Sequence, residues 1–209
     1  MLSLNLGQSD AEQFKLKQAV SLDGANDYID SNISISDEDF TATGTFIFDR
    51  VDQFQVMFGQ NGNSGFFLRI SNSGKVQLYA GGGYVNTGET LSALSASTSY
   101  DFKLVYTSST DNYDVSFKLT SATSFTSLFS GARSTTFGTG SANLFIGQKA
   151  GINYLNGQCR AFEITGSNPI KYNFNAFRNT TSIHNISGSQ VGTATNTTLS
   201  DFWSPLYVQ

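Results

Sequence analysis

The carboxylates are the first side chains in this 209-residue chain that could do chemistry. Hydrolysis of a glycosidic bond needs two carboxyl groups that face each other, roughly 5 to 10 Å apart. Two acids alternating on one strand would supply such a pair, but no Glu-x-Asp-x-Glu run occurs. The four glutamates lie on separate segments, namely Glu12, Glu38, Glu89 and Glu163. We therefore expect no enzymatic activity, and a glycoside hydrolase built from separate strands ranks third among our hypotheses.

Nucleophilic and zinc chemistry find even less support. His184 is the single histidine and Cys159 the single cysteine, and no Gly-x-Ser-x-Gly motif is present. A zinc site needs several Cys or His ligands. Cys159 lies in the apolar run QCRAFEIT, which predicts a buried strand residue instead of a reactive thiol.

Calcium is the ion for which the chain offers oxygen ligands. Asp23, Asn26 and Asp27 lie within five residues of one another, and carboxylate and amide oxygens suit calcium. The alternative is that Asp23 and Asn26 form Asx turns, which start a strand through hydrogen bonds to nearby backbone N–H groups. No other cofactor is expected.

Sugar recognition requires an aromatic face for stacking together with polar groups for the hydroxyls. Two clusters combine these residue types, and each also fits an ordinary loop. The candidate glycan-binding residues are Tyr79, Tyr84 and Asn86 around the glycines at 81 to 83, and Asn153, Tyr154 and Asn156 in a later loop.

Composition narrows the class of partner. The formal net charge is −4, and no stripe of Lys and Arg could neutralise phosphates, so nucleic acid is not expected as a ligand. The first 20 residues lack a basic segment followed by a long apolar run, and no stretch is apolar enough to span a bilayer. We expect synthesis in a cytoplasm and no membrane insertion.

The elements that must position these residues are strands. Charged residues make up 13% of the chain, and 18 Phe and 9 Tyr stand among abundant Ser, Thr, Asn and Gly, which is typical of strands and turns. Gly and Asn between the runs favour hairpins, and hence a meander of antiparallel strands in two facing sheets. The predicted strands are 41–51, 54–60, 65–71, 75–81, 99–108, 113–121, 142–148, 158–165 and 169–175.

The two ends of the chain differ in residue composition from the middle. We predict an N-terminal extension over 1–20, a β-sandwich over 21–175 and a C-terminal segment over 176–209 that wraps the sandwich or contacts a neighbour. The closing DFWSPLYVQ is rich in aromatic and apolar side chains. Its predicted assembly contacts are Phe202, Trp203, Leu206 and Tyr207.

Five segments together resemble the laminin-G-like, concanavalin A-like jelly-roll family. They are SLDGANDYID (21–30), DFTATGTFIFDRV (39–51), GFFLRISNSGKVQLYAGGG (65–83), SALSASTSYDFKLVYTSS (92–109) and SANLFIGQKAGINYLNGQCRAFEIT (141–165). The order matches that of the family's strands, which implies an all-β, two-sheet antiparallel jelly-roll sandwich. Many family members carry an acidic residue in the last strand where this chain has Arg160.

The resemblance extends to single-domain lectin-like proteins of tailed bacteriophage particles. It implies a non-enzymatic virion structural protein, either a capsid decoration protein or a head or tail appendage, displayed on the virion surface. Its partners would be capsid or tail proteins, sister subunits in a homo-oligomer, with a trimer as first guess, and host-surface glycans. The alternative function is a carbohydrate-binding or adhesion module of a bacterial surface protein.

Overall fold

A computed structural model describes residues 18–61, 65–81, 83–86, 92–132, 142–149, 151–173, 182–184, 191–195 and 203–205. These residues contain sixteen strands and one short 3₁₀ turn, η1 (Ser108–Thr110). The strands are β1 (Gln18–Asp23), β2 (Tyr28–Asp30), β3 (Phe40–Phe48), β4 (Gln55–Gln60), β5 (Phe66–Ile70), β6 (Val76–Ala80), β7 (Gly83–Asn86), β8 (Ser99–Thr107), β9 (Asn112–Leu119), β10 (Thr126–Ala132), β11 (Leu144–Ile146), β12 (Asn156–Ile164), β13 (Ile170–Asn173), β14 (Ser182–His184), β15 (Val191–Thr195) and β16 (Trp203–Pro205).

The strands form two antiparallel sheets of eight strands each within the described residues. In the first sheet the order is β10-β9-β8-β3-β12-β1-β16, and β13 also pairs with β12. In the second sheet the order is β14-β15-β2-β11-β4-β5-β6-β7. The all-β, two-sheet architecture predicted from the sequence is confirmed.

All nine predicted strands are present, with ends that differ by a few residues. The predicted meander is correct for β4 to β7, for β8 to β10 and for β12 with β13. It is wrong for β3 and β11, which do not pair with the strand that follows them in the chain. β3 pairs with β12, and β11 pairs with β2 and β4, so strands far apart in sequence lie side by side. Hairpin turns specify only the local pairs, whereas the distant pairs depend on burying one apolar face of each sheet.

Buried and more exposed residues alternate along the strands, and the buried ones form the core between the two sheets. Every second residue of β3 and of β8 is buried, as expected for strands with one face on a core. Phenylalanine rings dominate the contact across the sandwich. Phe58 of β4 lies 5.2 Å from Phe162 of β12 between ring centroids, and Phe40 of β3 lies 5.2 Å from Phe66 of β5. These rings join the two sheets.

A β-bulge interrupts the regular alternation of side chains in β12. Cys159 pairs with Phe46 and Ala161 pairs with Thr45, so Arg160 is the extra residue. The extra residue shifts the alternation by one position, and Cys159 and Phe162 therefore both face the core. Cys159 has no exposed surface, and burial raises the pKa of its thiol, which confirms the predicted core role.

Strands from the C-terminal segment extend both sheets. β16 pairs with β1 at one edge of the first sheet, and β14 and β15 extend the second sheet beside β2. The proposed division into 1–20, 21–175 and 176–209 stays a prediction. In the described part of the chain there is no helix of the length and hydropathy that a bilayer crossing requires.

Candidate functional site

A groove of about 470 Å³ lies on the outer face of the first sheet. Its floor is formed by β8, β3 and β12, with β9 on one side and β13 on the other. Those five neighbouring strands span roughly 19 Å at about 4.8 Å per strand. The volume is within the range of about 300 to 1,000 Å³ that is usual for ligand pockets.

Strand pairing brings the polar lining together. Thr45 of β3 faces Asp101 of β8, which in turn faces Lys118 of β9. One step along the sheet, Thr43 of β3 faces Glu163 of β12. Because these residues occupy alternate positions of their strands, their side chains point away from the core and line the groove.

Two ion pairs hold the carboxylates of the groove. Lys118 Nζ lies 3.3 Å from Asp101 Oδ2, with both side chains less than one fifth exposed. Asp101 Oδ1 also accepts hydrogen bonds from the hydroxyls of Thr45, at 2.8 Å, and Thr120, at 3.1 Å. On the opposite side, Lys171 Nζ lies 3.0 Å from Glu163 Oε2. Each carboxylate therefore has a lysine partner.

An aromatic ring stands at the edge of the groove. Phe125 is 36% exposed, although it lies in a stretch of polar residues between β9 and β10. Lys103 Nζ and Lys118 Nζ lie 4.9 and 5.4 Å from the centroid of its ring. This cation–π contact orients the ring and places two donors beside an apolar face.

Arg160 is the charged residue of the groove that lacks a counter-ion among the described residues. Its Nε is buried and has no hydrogen-bond acceptor in that part of the chain. Burial lowers the pKa of its guanidinium. The β12 bulge aims the side chain out of the core, as bulges commonly do near binding sites.

The first predicted glycan cluster lies on the second sheet, away from this groove. Tyr79 of β6 stacks on Phe67 of β5, with ring centroids 4.4 Å apart and ring planes 16° apart. Lys149 Nζ lies 4.6 Å from the Tyr79 ring and 4.1 Å from that of Phe67. One face of Tyr79 is thus covered by Phe67, and only the other could stack on a sugar.

The backbone of Tyr84 pairs with that of Tyr79, and Asn86 pairs with Leu78 beyond an irregularity in β6–β7 pairing. The side chain of Tyr84 lies outside the part that the structure describes. Burial lowers the pKa of Lys149, and the charge of Arg69 lowers it further. This cluster therefore contains a cation that the sequence did not single out.

The second predicted cluster lies in the loop before β12 and at the first residue of that strand. The carbonyl of Asn153 accepts a hydrogen bond from the backbone N–H of Val56 at 2.9 Å, which ties its loop to β4. The backbone of Asn156, the first residue of β12, pairs with that of Asp23 in β1. Tyr154 is partly buried beside Gly151. Their roles in glycan binding stay predictions.

The candidate calcium ligands share one turn, as predicted, but their oxygens accept backbone hydrogen bonds. Asp23 Oδ1 accepts from the N–H groups of Ala25, at 2.8 Å, and Asn26, at 3.2 Å, and Asp27 Oδ2 accepts from Asp23 N–H at 3.0 Å. Burial raises the pKa of Asp23, but these hydrogen bonds outweigh it and lower the pKa overall. This pattern fits the Asx-turn alternative. In the described ranges no group of three or more His, Cys, Asp or Glu side chains is arranged to hold a metal ion.

Phe202, Leu206 and Tyr207 lie outside the described residues, and the backbone of Trp203 belongs to β16. Sequence analysis did not identify the residues of the groove as a candidate site. Asp101, Lys118 and Arg160 occupy the polar positions of alternating strands, which usually indicates a solvated face. The one available signal was Phe125, an aromatic residue placed in a polar stretch.

No protein-family model matches the sequence, and no curated protein matches it. Solved structures do match. A candidate carbohydrate-binding protein from Bacteroides ovatus is 14% identical with a TM-score of 0.65, over 93% of this chain and 61% of that one. The chain therefore spans about three fifths of that protein.

Two further structures align over 70% of this chain. The enzymatically active domain of tailspike protein 2 from bacteriophage CBA120 is 15% identical with a TM-score of 0.55, over 25% of its chain. The CBM40 module of a Ruminococcus gnavus sialidase, bound to α2,3-sialyllactose, is 14% identical with a TM-score of 0.52, over 89% of its chain. With these neighbours and the strand order above, the molecule has the concanavalin A-like, laminin G-like jelly-roll fold.

Proposed function

We propose that this protein is a non-catalytic glycan-binding protein and that the groove on the first sheet is its binding site. The observation that carries the proposal is the exposed ring of Phe125 at the edge of a groove lined by hydroxyl, carboxylate and ammonium groups. A sugar ring presents an apolar face and a rim of hydroxyls. The groove offers a partner for each.

The polar lining suits sugar hydroxyls because it contains both donors and acceptors. Thr43 and Thr45 supply hydroxyls, and Asp101 and Glu163 supply carboxylate oxygens with lone pairs beyond those already used. Lys118 supplies N–H donors beside the Phe125 ring. Side chains already held by ion pairs lose little freedom when a ligand binds, which favours affinity.

The absence of catalysis is part of the proposal. Asp101 and Glu163 lie on strands separated by β3, and each is in contact with a lysine. A glycosidase requires one carboxyl group as proton donor and a second as base or nucleophile at the scissile bond. The two carboxylates of the groove are engaged in ion pairs instead.

For the biological setting, we propose a bacteriophage virion, with the protein as a capsid decoration protein or a head or tail appendage. The supports are the sequence resemblance and the phage tailspike among proteins of this fold. In this setting capsid or tail proteins and sister subunits are its partners, and the virion surface is its location. The carbohydrate-binding module of a bacterial surface protein is the second candidate, supported by the Bacteroides structure.

The assembly proposal predicts a homo-oligomer that depends on the C-terminal tail. We expect light scattering to give the mass of an oligomer for the intact chain and of a monomer for a chain without residues 201–209. The physical reason is that DFWSPLYVQ concentrates aromatic and apolar side chains at one end. A monomeric intact chain would contradict the virion-assembly proposal and favour the isolated module.

The binding proposal predicts that Phe125→Ala weakens glycan binding. The dissociation constant should rise about tenfold, because one aromatic face contributes roughly 1 to 1.5 kcal/mol. The measurement is isothermal titration with the best ligand from an array of acidic and neutral glycans. Hydrolysis of the same ligand should be undetectable.

Phe54→Ala is the matched control. Phe54 is 37% exposed and lies 4.3 Å from a guanidinium, that of Arg69, so it resembles Phe125 in exposure and in its cationic neighbour. It does not line the groove. Binding should survive this change. The groove is the wrong site if Phe54→Ala abolishes binding while Phe125→Ala leaves it intact, and the function is wrong if no glycan binds.

A further inference from the structure

The charges of the groove do not balance. Its charged lining residues are three cations and two carboxylates, namely Lys118, Lys171, Arg160, Asp101 and Glu163. The two lysines neutralise the two carboxylates at 3.3 and 3.0 Å. Among the described residues Arg160 has no counter-ion, in a protein whose net charge is −4.

Arg160 is also an unsatisfied hydrogen-bond donor. Its Nε is buried without an acceptor among the described residues, and burial lowers the pKa of the guanidinium with no carboxylate to offset the effect. A buried donor without an acceptor costs free energy, so Nε needs an acceptor from water or from a bound ligand. The β12 bulge places this one beside the groove.

We propose that the groove binds an acidic glycan and that Arg160 pairs with a carboxylate carried by one of its sugars. This inference rests on the proposed function and specifies its ligand class. A guanidinium matches a carboxylate because its planar fork donates two parallel hydrogen bonds to the two oxygens. Phe125 stacks on a neighbouring sugar ring while Arg160 fixes the acid group.

The position of Arg160 supports a carboxylate on the glycan instead of a purely neutral ligand. A neutral sugar hydroxyl would satisfy the Nε donor but leave the charge uncompensated. A carboxylate satisfies both needs at once, and the partly buried site strengthens the pair by excluding water. Asp101 and Glu163 repel the acid group less than bare carboxylates would, because each is already paired with a lysine.

The test uses two pairs of matched probes with the full chain. One pair is α2,3-sialyllactose and lactose, and the other is a galacturonic acid tetramer and its carboxyl-reduced neutral form. Wild-type protein should bind the acidic member of at least one pair about tenfold more tightly, the factor expected for one charge-assisted contact. This preference should shrink as salt rises.

Arg160→Gln should remove the preference for the acid, because the charged contact is what distinguishes the acidic probe from its neutral partner. Arg160→Lys should keep part of the preference, since it keeps the charge but loses the fork. Arg50→Gln is the control, because Arg50 is exposed, pairs with Asp52 and does not line the groove. Thermal melts of each variant should show the same folded baseline as the wild type, which is the check that the variants fold.

The outcomes separate the inference from the function on which it rests. Equal affinity of the wild type for acidic and neutral probes, or a preference that survives in Arg160→Gln, overturns the acidic ligand but leaves glycan binding in place. A preference for sulfated over carboxylated glycans on the array overturns the carboxylate assignment. Binding of no glycan at all overturns both proposals.

Discussion

Gly157→Ala is expected to abolish folding, or to lower the free energy of unfolding by more than about 4 kcal/mol. Gly157 has a backbone φ of +148°, a conformation that residues other than glycine rarely adopt. A Cβ there would overlap the carbonyl oxygen of Ile47 and lie 3.0 Å from the Cα of Phe48. Both are backbone atoms of β3, which cannot move without breaking the β3–β12 pairing at the centre of the first sheet.

Gly151→Ala separates backbone strain from steric overlap. Gly151 also has a positive φ, +75°, but the nearest atom to its Cβ position is the Tyr154 hydroxyl at 3.6 Å. We expect a loss of about 1 kcal/mol. Urea denaturation followed by circular dichroism measures both variants. A Gly157→Ala protein as stable as Gly151→Ala would show that β3 and β12 do not approach as closely as the structure indicates.

Phe162→Ala is expected to cost about 3 to 5 kcal/mol, the range for deleting a buried aromatic ring. Phe162 is 1% exposed, and its ring contacts that of Phe58 across the two sheets. Removing it leaves a cavity at the junction of the sandwich. Phe162→Leu keeps most of the volume and should cost less.

The same urea measurement on Phe54→Ala provides the surface control, with a loss below about 1 kcal/mol. Phe162 and Glu163 are adjacent on β12, but they face opposite sides of the sheet. The fraction of Phe162→Ala protein that is folded should therefore still bind the glycan. Phe162 also borders the groove, so complete loss of binding in folded Phe162→Ala would mean that its ring shapes the site together with the polar lining.

Local patterns in the sequence were sufficient to predict many strands. β3 and β8 alternate without interruption, and their predicted bounds hold within three residues. β10 was missed because TSLFSGA is mostly exposed in the structure, so burial left no periodic signal in it. β2 and the second half of β1 lay within the segment that resembles the family. β7, β14, β15 and β16 carried too few apolar residues to be recognised by their pattern.

The candidate groove could not be predicted in the same way. Asp101, Lys118 and Arg160 are separated by up to 59 positions and meet because β9, β8, β3 and β12 are neighbours. Periodicity assigns a residue to one face of a strand, but it does not identify the strand beside it. Arg160 adds a second difficulty, because the bulge shifts the alternation of β12.

The sequence alone determined the all-β class, most strands of the sandwich and the inert, buried position of Cys159, because these depend on local alternation and on apolar content. Tertiary structure decided which strands pair across long distances, and therefore which charges share one face. It brought two lysine–carboxylate pairs and Phe125 around Arg160, and left that guanidinium without a counter-ion in the described residues. The physical reason is that side-chain direction is a local property of the backbone, whereas the neighbour across a sheet is fixed only when the whole core is buried.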